Sequence, residues 1–157
     1  MENHDNPRAA AVIRDRDSLL NWTVFYALLP GATLLYAGQE IGVRNWPCLF
    51  EKDPVDWEHA DCEFTLFMEK VLRFAKEIKS ACSRVSLAEL AEGVVEITWL
   101  GEDVAYVALL NLANRYGEIN LDELRGGEIY TGEKGERGSY RLESMPVLMK
   151  IPRHGRR

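Results

Sequence analysis

The residues best suited to chemistry stand at the start of the chain, where Asn3-His4-Asp5-Asn6 sets an imidazole beside a carboxylate in a polar stretch closed by Pro7 and Arg8. A carboxylate accepts hydrogen bonds and a histidine ring can donate them, so the pair suits a ligand covered in hydroxyl groups, such as a sugar ring. The same residues also build a turn, in which Asp5 and Asn6 bond nearby backbone ahead of the proline. Residue types alone leave both readings open.

The element that must position this stretch is a helix. It starts at Asp17 or Ser18, either of which can cap it by accepting backbone N–H bonds, and runs to Leu29. Leu19, Leu20, Trp22, Val24, Phe25 and Tyr26 fall on almost every face, which predicts burial on several sides. Pro30-Gly31 ends the helix. Residues 32–36 form a short continuous apolar run, the pattern of a strand covered on both faces. Helix, break and buried strand together predict part of an α/β layer structure with a parallel sheet. Residues 38–56 are irregular and long for a connection, and such loops are often functional. A second helix over 61–79 carries Phe64, Phe67, Met68, Val71, Ala75 and Ile78 on one stripe, as on a helix packed against a sheet.

After about residue 83 the pattern changes. Apolar runs at 94–100 and 104–110 flank Gly101-Glu102-Asp103 and read as a hairpin. Shorter strands are expected at 127–131, 139–142 and 147–151, with turns at Tyr116-Gly117, Gly126-Gly127 and 135–138. Short strands with frequent turns predict a small antiparallel sandwich. The reading is therefore an α/β portion over 1–82 followed by an all-β sandwich over 83–157.

Composition narrows the function class. With 46% hydrophobic and 28% charged residues the chain has a globular composition, not a disordered one. A net charge of -6 argues against a nucleic-acid partner held by phosphate contacts. The basic end, Arg153-His154-Gly155-Arg156-Arg157, reads as a frayed, solvated terminus. The apolar stretch over 19–35 is interrupted by Asn21, Thr23, Pro30 and Gly31, so no membrane partner is expected. Cys48, Cys62 and Cys82 form no CxxC and have no histidine at ligand spacing. They read as buried or half-buried free thiols, which leans towards a cytoplasmic location.

Longer motifs decide between the two readings of the first stretch. Glu2-Asn3-His4-Asp5-Asn6-Pro7-Arg8 resembles the last short motif of the alpha-amylase family of glycoside hydrolases, at the end of the seventh strand of the family's (β/α)8 barrel. The run Leu28-Leu29-Pro30-Gly31-Ala32-Thr33-Leu34-Leu35-Tyr36-Ala37-Gly38-Gln39-Glu40-Ile41-Gly42 looks like the eighth strand and its loop. Asp53-Pro54-Val55-Asp56-Trp57 resembles a segment before the last barrel helix, and the strands that follow are similar to the family's C-terminal domain. The resemblance implies a fold made of the last strand and helices of a (β/α)8 barrel followed by a small antiparallel sandwich.

The resemblance also implies roles. Asp5 matches the family's third essential carboxylate, which grips sugar hydroxyls where the bond breaks and favours the oxocarbenium-like transition state. His4 matches a neighbour that bonds the same sugar, and Arg8 matches either a substrate contact or a buttress of the loop. Gln39 and Glu40 are expected to stabilise the barrel rim more than to touch sugar. The nucleophile and the general acid of a retaining enzyme, about 5 Å apart, would lie on barrel strands that precede Met1. A whole barrel takes about 250 residues, so the chain alone is expected to be inactive and to be a truncation or half of a split gene. Glu40, Asp53, Asp56 and the acids of 58–61 read mostly as solvated surface groups. The partner implied is an alpha-glucan or oligosaccharide. Open apolar faces around Trp22, Phe25 and Tyr26 predict self-association or a requirement for a missing N-terminal half. No cofactor or metal is expected. The competing reading is a non-catalytic carbohydrate-binding or interaction protein using Trp99, Tyr106, Tyr130 and Tyr140; alternating strand aromatics of this kind more commonly form core.

Overall fold

The computed structural model describes residues 2–48, 50–124, 126–133 and 138–153. Among the described residues three α-helices precede seven strands: α1 (Ala9–Val12), α2 (Arg16–Leu28), α3 (Cys62–Ala81), β1 (Arg84–Ala91), β2 (Val94–Leu100), β3 (Val104–Asn111), β4 (Glu118–Asn120), β5 (Glu128–Thr131), β6 (Ser139–Arg141) and β7 (Val147–Pro152). Five strands form an antiparallel sheet in the order β1-β2-β3-β7-β5, and β4 pairs with β6 in a separate two-stranded sheet.

Alternation along the strands builds two cores, one on each face of the large sheet. In β3 the even positions Tyr106, Ala108 and Leu110 meet Val24 and Leu28 of α2 and Phe74 and Ile78 of α3. The odd positions Val107 and Leu109 turn the other way, onto Tyr140, Leu142 and Met145 beside the small sheet. The central strand is thus covered on both sides, which is why its sequence is a continuous apolar run.

The helix layer is fastened to the sheet by polar contacts as well as packing. Asn21, buried on α2, donates from Nδ2 to the carbonyls of Asp17 and Met145, and its Oδ1 accepts from the Asn111 amide at 2.8 Å. Asn111 in turn donates to the carbonyls of Leu142 and Arg115. Trp99 donates its indole N–H to the Leu28 carbonyl at 2.9 Å, satisfying an acceptor left over at the end of α2. At the edge of the layer Glu77 of α3 accepts from Tyr106, Tyr130 and Lys150, on three different strands.

Several expectations are revised. The strand over 32–36 does not form: the segment runs without helix, turn or bend but has no ladder partner, and Leu34 and Leu35 are exposed instead of buried. A parallel strand needs a neighbour to supply its hydrogen bonds, and none of the described strands lies beside it. The cap of α2 is Asp15, whose carboxylate accepts from Ser18 N, not Asp17 or Ser18. Strands β1 and β4 were not expected; β1 is exposed along most of its length and has no alternating apolar face to reveal it. Cys48 and Cys62 are exposed, and only Cys82 is buried. Trp22, Phe25 and Tyr26 are half-buried, and the Trp22 and Phe25 rings pack edge to face at 5.6 Å. The 94–100/104–110 hairpin forms as expected, in register from Val94↔Asn111 to Leu100↔Ala105. Of the expected turn at 135–138, residues 135–137 lie outside the described residues, as does the tail from 154 to 157. Arg153 itself is tied down, its amide donating to Asp103 O and its guanidinium to Gly101 O. Among the described residues no helix is long and apolar enough to cross a membrane.

Two outcomes follow from these fastenings. Replacing Asn21 by Ala strands the buried Asn111 amide and Met145 carbonyl, at about 1–3 kcal/mol for each unpaired group. The expected loss is about 3 kcal/mol, or about 6–12 °C in Tm for a chain of this size, read by thermal denaturation. Glu77 has its carboxyl held below the usual range, first by the Lys150 ammonium and then by the Tyr106 hydroxyl. A depressed carboxyl stabilises the fold above its unfolded-state pKa and loses that contribution as pH falls through the folded value. Glu77→Gln is therefore expected to flatten the acid limb of a stability–pH curve below about pH 4.3, with a small effect because the group is partly solvated.

Candidate functional site

The His4–Asp5 pair sits on a turn organised by its neighbour. Asn3 Oδ1 accepts from the Asp5 amide at 2.9 Å and from Asn6 Nδ2 at 2.9 Å. The turn therefore exists, but Asn3 and not Asp5 supplies the organising acceptor. This leaves the Asp5 carboxylate directed outward: its Oδ2 lies 3.3 Å from His4 Nε2, with side chains 64% and 61% exposed respectively. An imidazole and a carboxylate held side by side in the open present one donor edge and one acceptor edge to an incoming polyol.

Beneath the turn is a buried ion pair. Glu2 and Arg8 are 3% and 4% exposed. Arg8 Nη1 donates to Glu2 Oε2 at 3.1 Å, and the other Glu2 oxygen accepts from the Ala9 amide at 2.9 Å, at the start of α1. Arg8 Nη1 also donates to the Ala37 carbonyl at 2.9 Å, while the guanidinium lies 4.3 Å from the Tyr36 ring centroid. Of the three residues singled out, His4 and Asp5 are thus adjacent and exposed, and Arg8 is buried behind them as a clamp onto the next loop. Glu2 escaped the sequence reading because nothing in an isolated Glu and Arg six residues apart signals a pair.

The loop that Arg8 grips is shaped by Gly38 and Gly42, both in the left-handed region at φ 90° and 71°. A side chain at Gly38 would also press on Val43 and Val55 at 3.0 and 3.1 Å. Between them Gln39 is buried, with its backbone N–H donating to Tyr36 O and its side-chain Oε1 accepting from Tyr36 N. Glu40 is half-buried in the same turn.

Three of the remaining acids, Asp53, Asp56 and Asp61, serve local structure. Asp53 accepts from the Cys48 amide. Asp56 accepts from His59 Nδ1 at 2.8 Å and from the Glu58 and His59 amides, and the bond from the His59 ring lowers its pKa most. Asp61 caps α3 through the Phe64 amide and pairs with Arg16, the main cause of its lowered pKa. It is half-buried, not a fully solvated acid. A cleft of about 260 Å³ opens beside these residues, lined by Arg44, Asn45, Asp56 and His59 among others. Among the described residues no group of three or more His, Cys, Asp or Glu is arranged to hold a metal ion. The sandwich aromatics offer little surface to a ligand: Trp99, Tyr106 and Tyr140 are buried, and Tyr130, 38% exposed, is bonded to Glu77.

The burial difference between the two pairs has a measurable consequence. Arg8→Ala leaves the Glu2 carboxylate buried and unpaired, which costs about 3–5 kcal/mol. His4→Ala and Asp5→Ala remove exposed groups and are expected to change stability by no more than about 0.5 kcal/mol. Urea denaturation of the three variants reads the contrast.

No protein-family profile matches the chain, and comparison with curated proteins likewise returns no match. Solved structures do match. An alpha-amylase from Lactobacillus plantarum superimposes with a TM-score of 0.77 over 96% of this chain at 23% identity. A cyclic alpha-maltosyl-(1→6)-maltose hydrolase from Arthrobacter globiformis gives 0.72 over 95% at 13% identity, and an Anoxybacillus alpha-amylase gives 0.69 over 98% at 16% identity. The chain spans only 37%, 33% and 37% of those three structures. At these identities the likeness is one of fold, and the fold of this chain is that of a portion of an alpha-amylase-family structure.

Proposed function

We propose that the chain is the C-terminal portion of an alpha-amylase-like retaining glycoside hydrolase acting on alpha-glucans or alpha-glucosides. Residues 1–82 are then the end of the catalytic barrel and residues 83–157 the C-terminal sandwich domain. Asp5 holds hydroxyls of the sugar at the cleavage point and stabilises the transition state, with His4 bonding the same ring. Arg8 acts from behind, holding the turn against the 36–42 loop. The nucleophile and general acid come from polypeptide outside this chain, supplied by a missing N-terminal half.

The observation that carries the proposal is the pairing of two independent facts. The chain follows amylase structures over almost its whole length, and at the residues resembling a catalytic motif it displays an exposed His–Asp pair mounted on a buried ion pair. A turn with only a structural task would have no need to leave its one carboxylate–imidazole pair outward and otherwise unused.

The test is titration of the isolated chain with maltoheptaose, followed by amide chemical shifts. Shifts confined to residues near His4 and Asp5, reduced at least tenfold in apparent affinity by Asp5→Ala, are expected. The chain alone should release no sugar from maltoheptaose or starch, and turnover by it would overturn the claim of incompleteness. Exposed Val12, Leu34 and Leu35 are proposed to promote self-association or docking of the missing half. Sedimentation as a clean monomer at micromolar concentration would remove the self-association part.

A further inference from the structure

Arg8 has more donors than its direct bonds use. A guanidinium offers N–H donors at Nε and at both Nη atoms, but the bonds to Glu2 and to the Ala37 carbonyl both leave from Nη1. Nε is shut off from solvent and has no acceptor within reach among the described residues, and Arg8 as a whole is 4% exposed. A charged donor buried without an acceptor costs more than an ordinary contact gains. Arg8 also lines a small cavity, together with Val43, Asn45, Asp53, Pro54 and Val55. Val43, Pro54 and Val55 are its apolar wall, and a side chain at Gly38 would press on Val43 and Val55, so the glycine leaves that wall in place. Asn45 and Asp53 bring the polar groups. Asp53 Oδ2 accepts from the Cys48 amide at 3.0 Å, and its Oδ1 makes no hydrogen bond among the described residues. The cavity measures about 10 Å³, and a single water needs about 10–15 Å³ of such space with a few polar partners around it.

We propose that one water molecule occupies this cavity, accepts from Arg8 Nε and donates to Asp53 Oδ1, so that Asp53 is a positioning residue for the turn bearing His4 and Asp5. Water suits the space where ions do not. A polyatomic anion is too large for it, the Asp53 carboxylate repels a small anion, and the guanidinium repels a cation. Asn45, whose side-chain amide both donates and accepts, offers the water a third partner. All the lining residues belong to this chain, so the arrangement needs no further polypeptide. Its consequence is mechanical. Glu2 holds the guanidinium from the side of the turn, and the Ala37 carbonyl holds it from the following loop. The water adds a hold from residues 43–55, and a water-mediated bond is nearly as good as a direct one. Three acceptors in different directions leave a planar guanidinium one orientation. The inference concerns the support of the turn, and it rests on the proposed function only for what the turn then holds.

The test is nuclear magnetic resonance of the whole chain, isotope-labelled in its arginine side chains, with no sugar present. The Arg8 Hε is expected to show an Overhauser contact to a water that tumbles with the protein. It should also exchange with solvent at least about tenfold more slowly than the Hε of exposed Arg44. Asp53→Ala should abolish the contact, remove about five- to tenfold of the protection and shift the Asn3, His4 and Asp5 amides. Asp53→Asn, which keeps an acceptor oxygen, should retain all three features. A wild-type chain without the water contact overturns the proposal. So does Asp53→Ala that disturbs only the Cys48 amide, the outcome of a merely local role for Asp53, or that loses the contact and leaves the turn amides unmoved. Asn45→Ala, expected to weaken the same contact, carries the readout should Asp53→Ala not fold. Because no sugar enters these measurements, their failure is separate from failure of the maltoheptaose titration.

Discussion

The structure depends on the amide of Asn21. It is a buried polar side chain in the middle of an apolar helix, and it joins three elements at once: the preceding turn of α2, the end of β3 at Asn111, and the carbonyl of Met145 ahead of β7. Apolar packing alone is tolerant of sliding, because the attraction among Val24, Leu28, Phe74 and Ile78 is non-directional. A buried amide with fixed partners is not, because each unpaired group costs more than a typical contact gains. Asn21 therefore sets where α2 lies on the sheet, and Trp99 repeats the constraint at the far end of the same helix.

That placement propagates to the site. With α2 fixed, Asp15 caps it and Arg16 reaches Asp61 at the start of α3, so the two helices and the loop between them are tied together. The loop presents Tyr36 and Ala37 to Arg8, and Arg8 with Glu2 holds the turn bearing His4 and Asp5. The chain of dependence runs from a buried amide, through charged caps, to a buried ion pair. The exposed His4 and Asp5 stand at the end of that chain, on the turn the buried pair supports.

What was legible in the sequence follows the same division. The α3 helix announces itself by its apolar stripe, α2 by apolar residues on almost every face ended by Pro30-Gly31, and the 94–110 hairpin by two apolar runs around a turn. The 32–36 run has the composition of a buried strand, but forming one also requires neighbours, a requirement no local pattern expresses. Strand β1 was invisible for the converse reason: it is held by its ladder to β2 while most of its side chains remain in solvent. At the candidate site, the adjacency of His4 and Asp5 could be read directly. Glu2 could not, since its importance comes from Arg8 and the Ala9 amide folding around it. The function of Asn3 was assigned to its neighbours because any of four polar residues in a row can organise a turn.

The two pairs at this end of the molecule contrast sharply in burial. Glu2 and Arg8 are both desolvated, an arrangement that replacement by well-packed apolar residues often matches or exceeds in stability. Its value therefore lies less in net stability than in geometry: a guanidinium with several directional donors fixes the turn, the α1 start and the Ala37 carbonyl relative to one another. His4 and Asp5 make the opposite exchange. They contribute almost nothing to the fold, since Asn3 supplies the turn's hydrogen bonds, and they keep their polar edges free. Rigid support below and unspent polar groups above is the arrangement expected of a surface that must hold a ligand in one orientation.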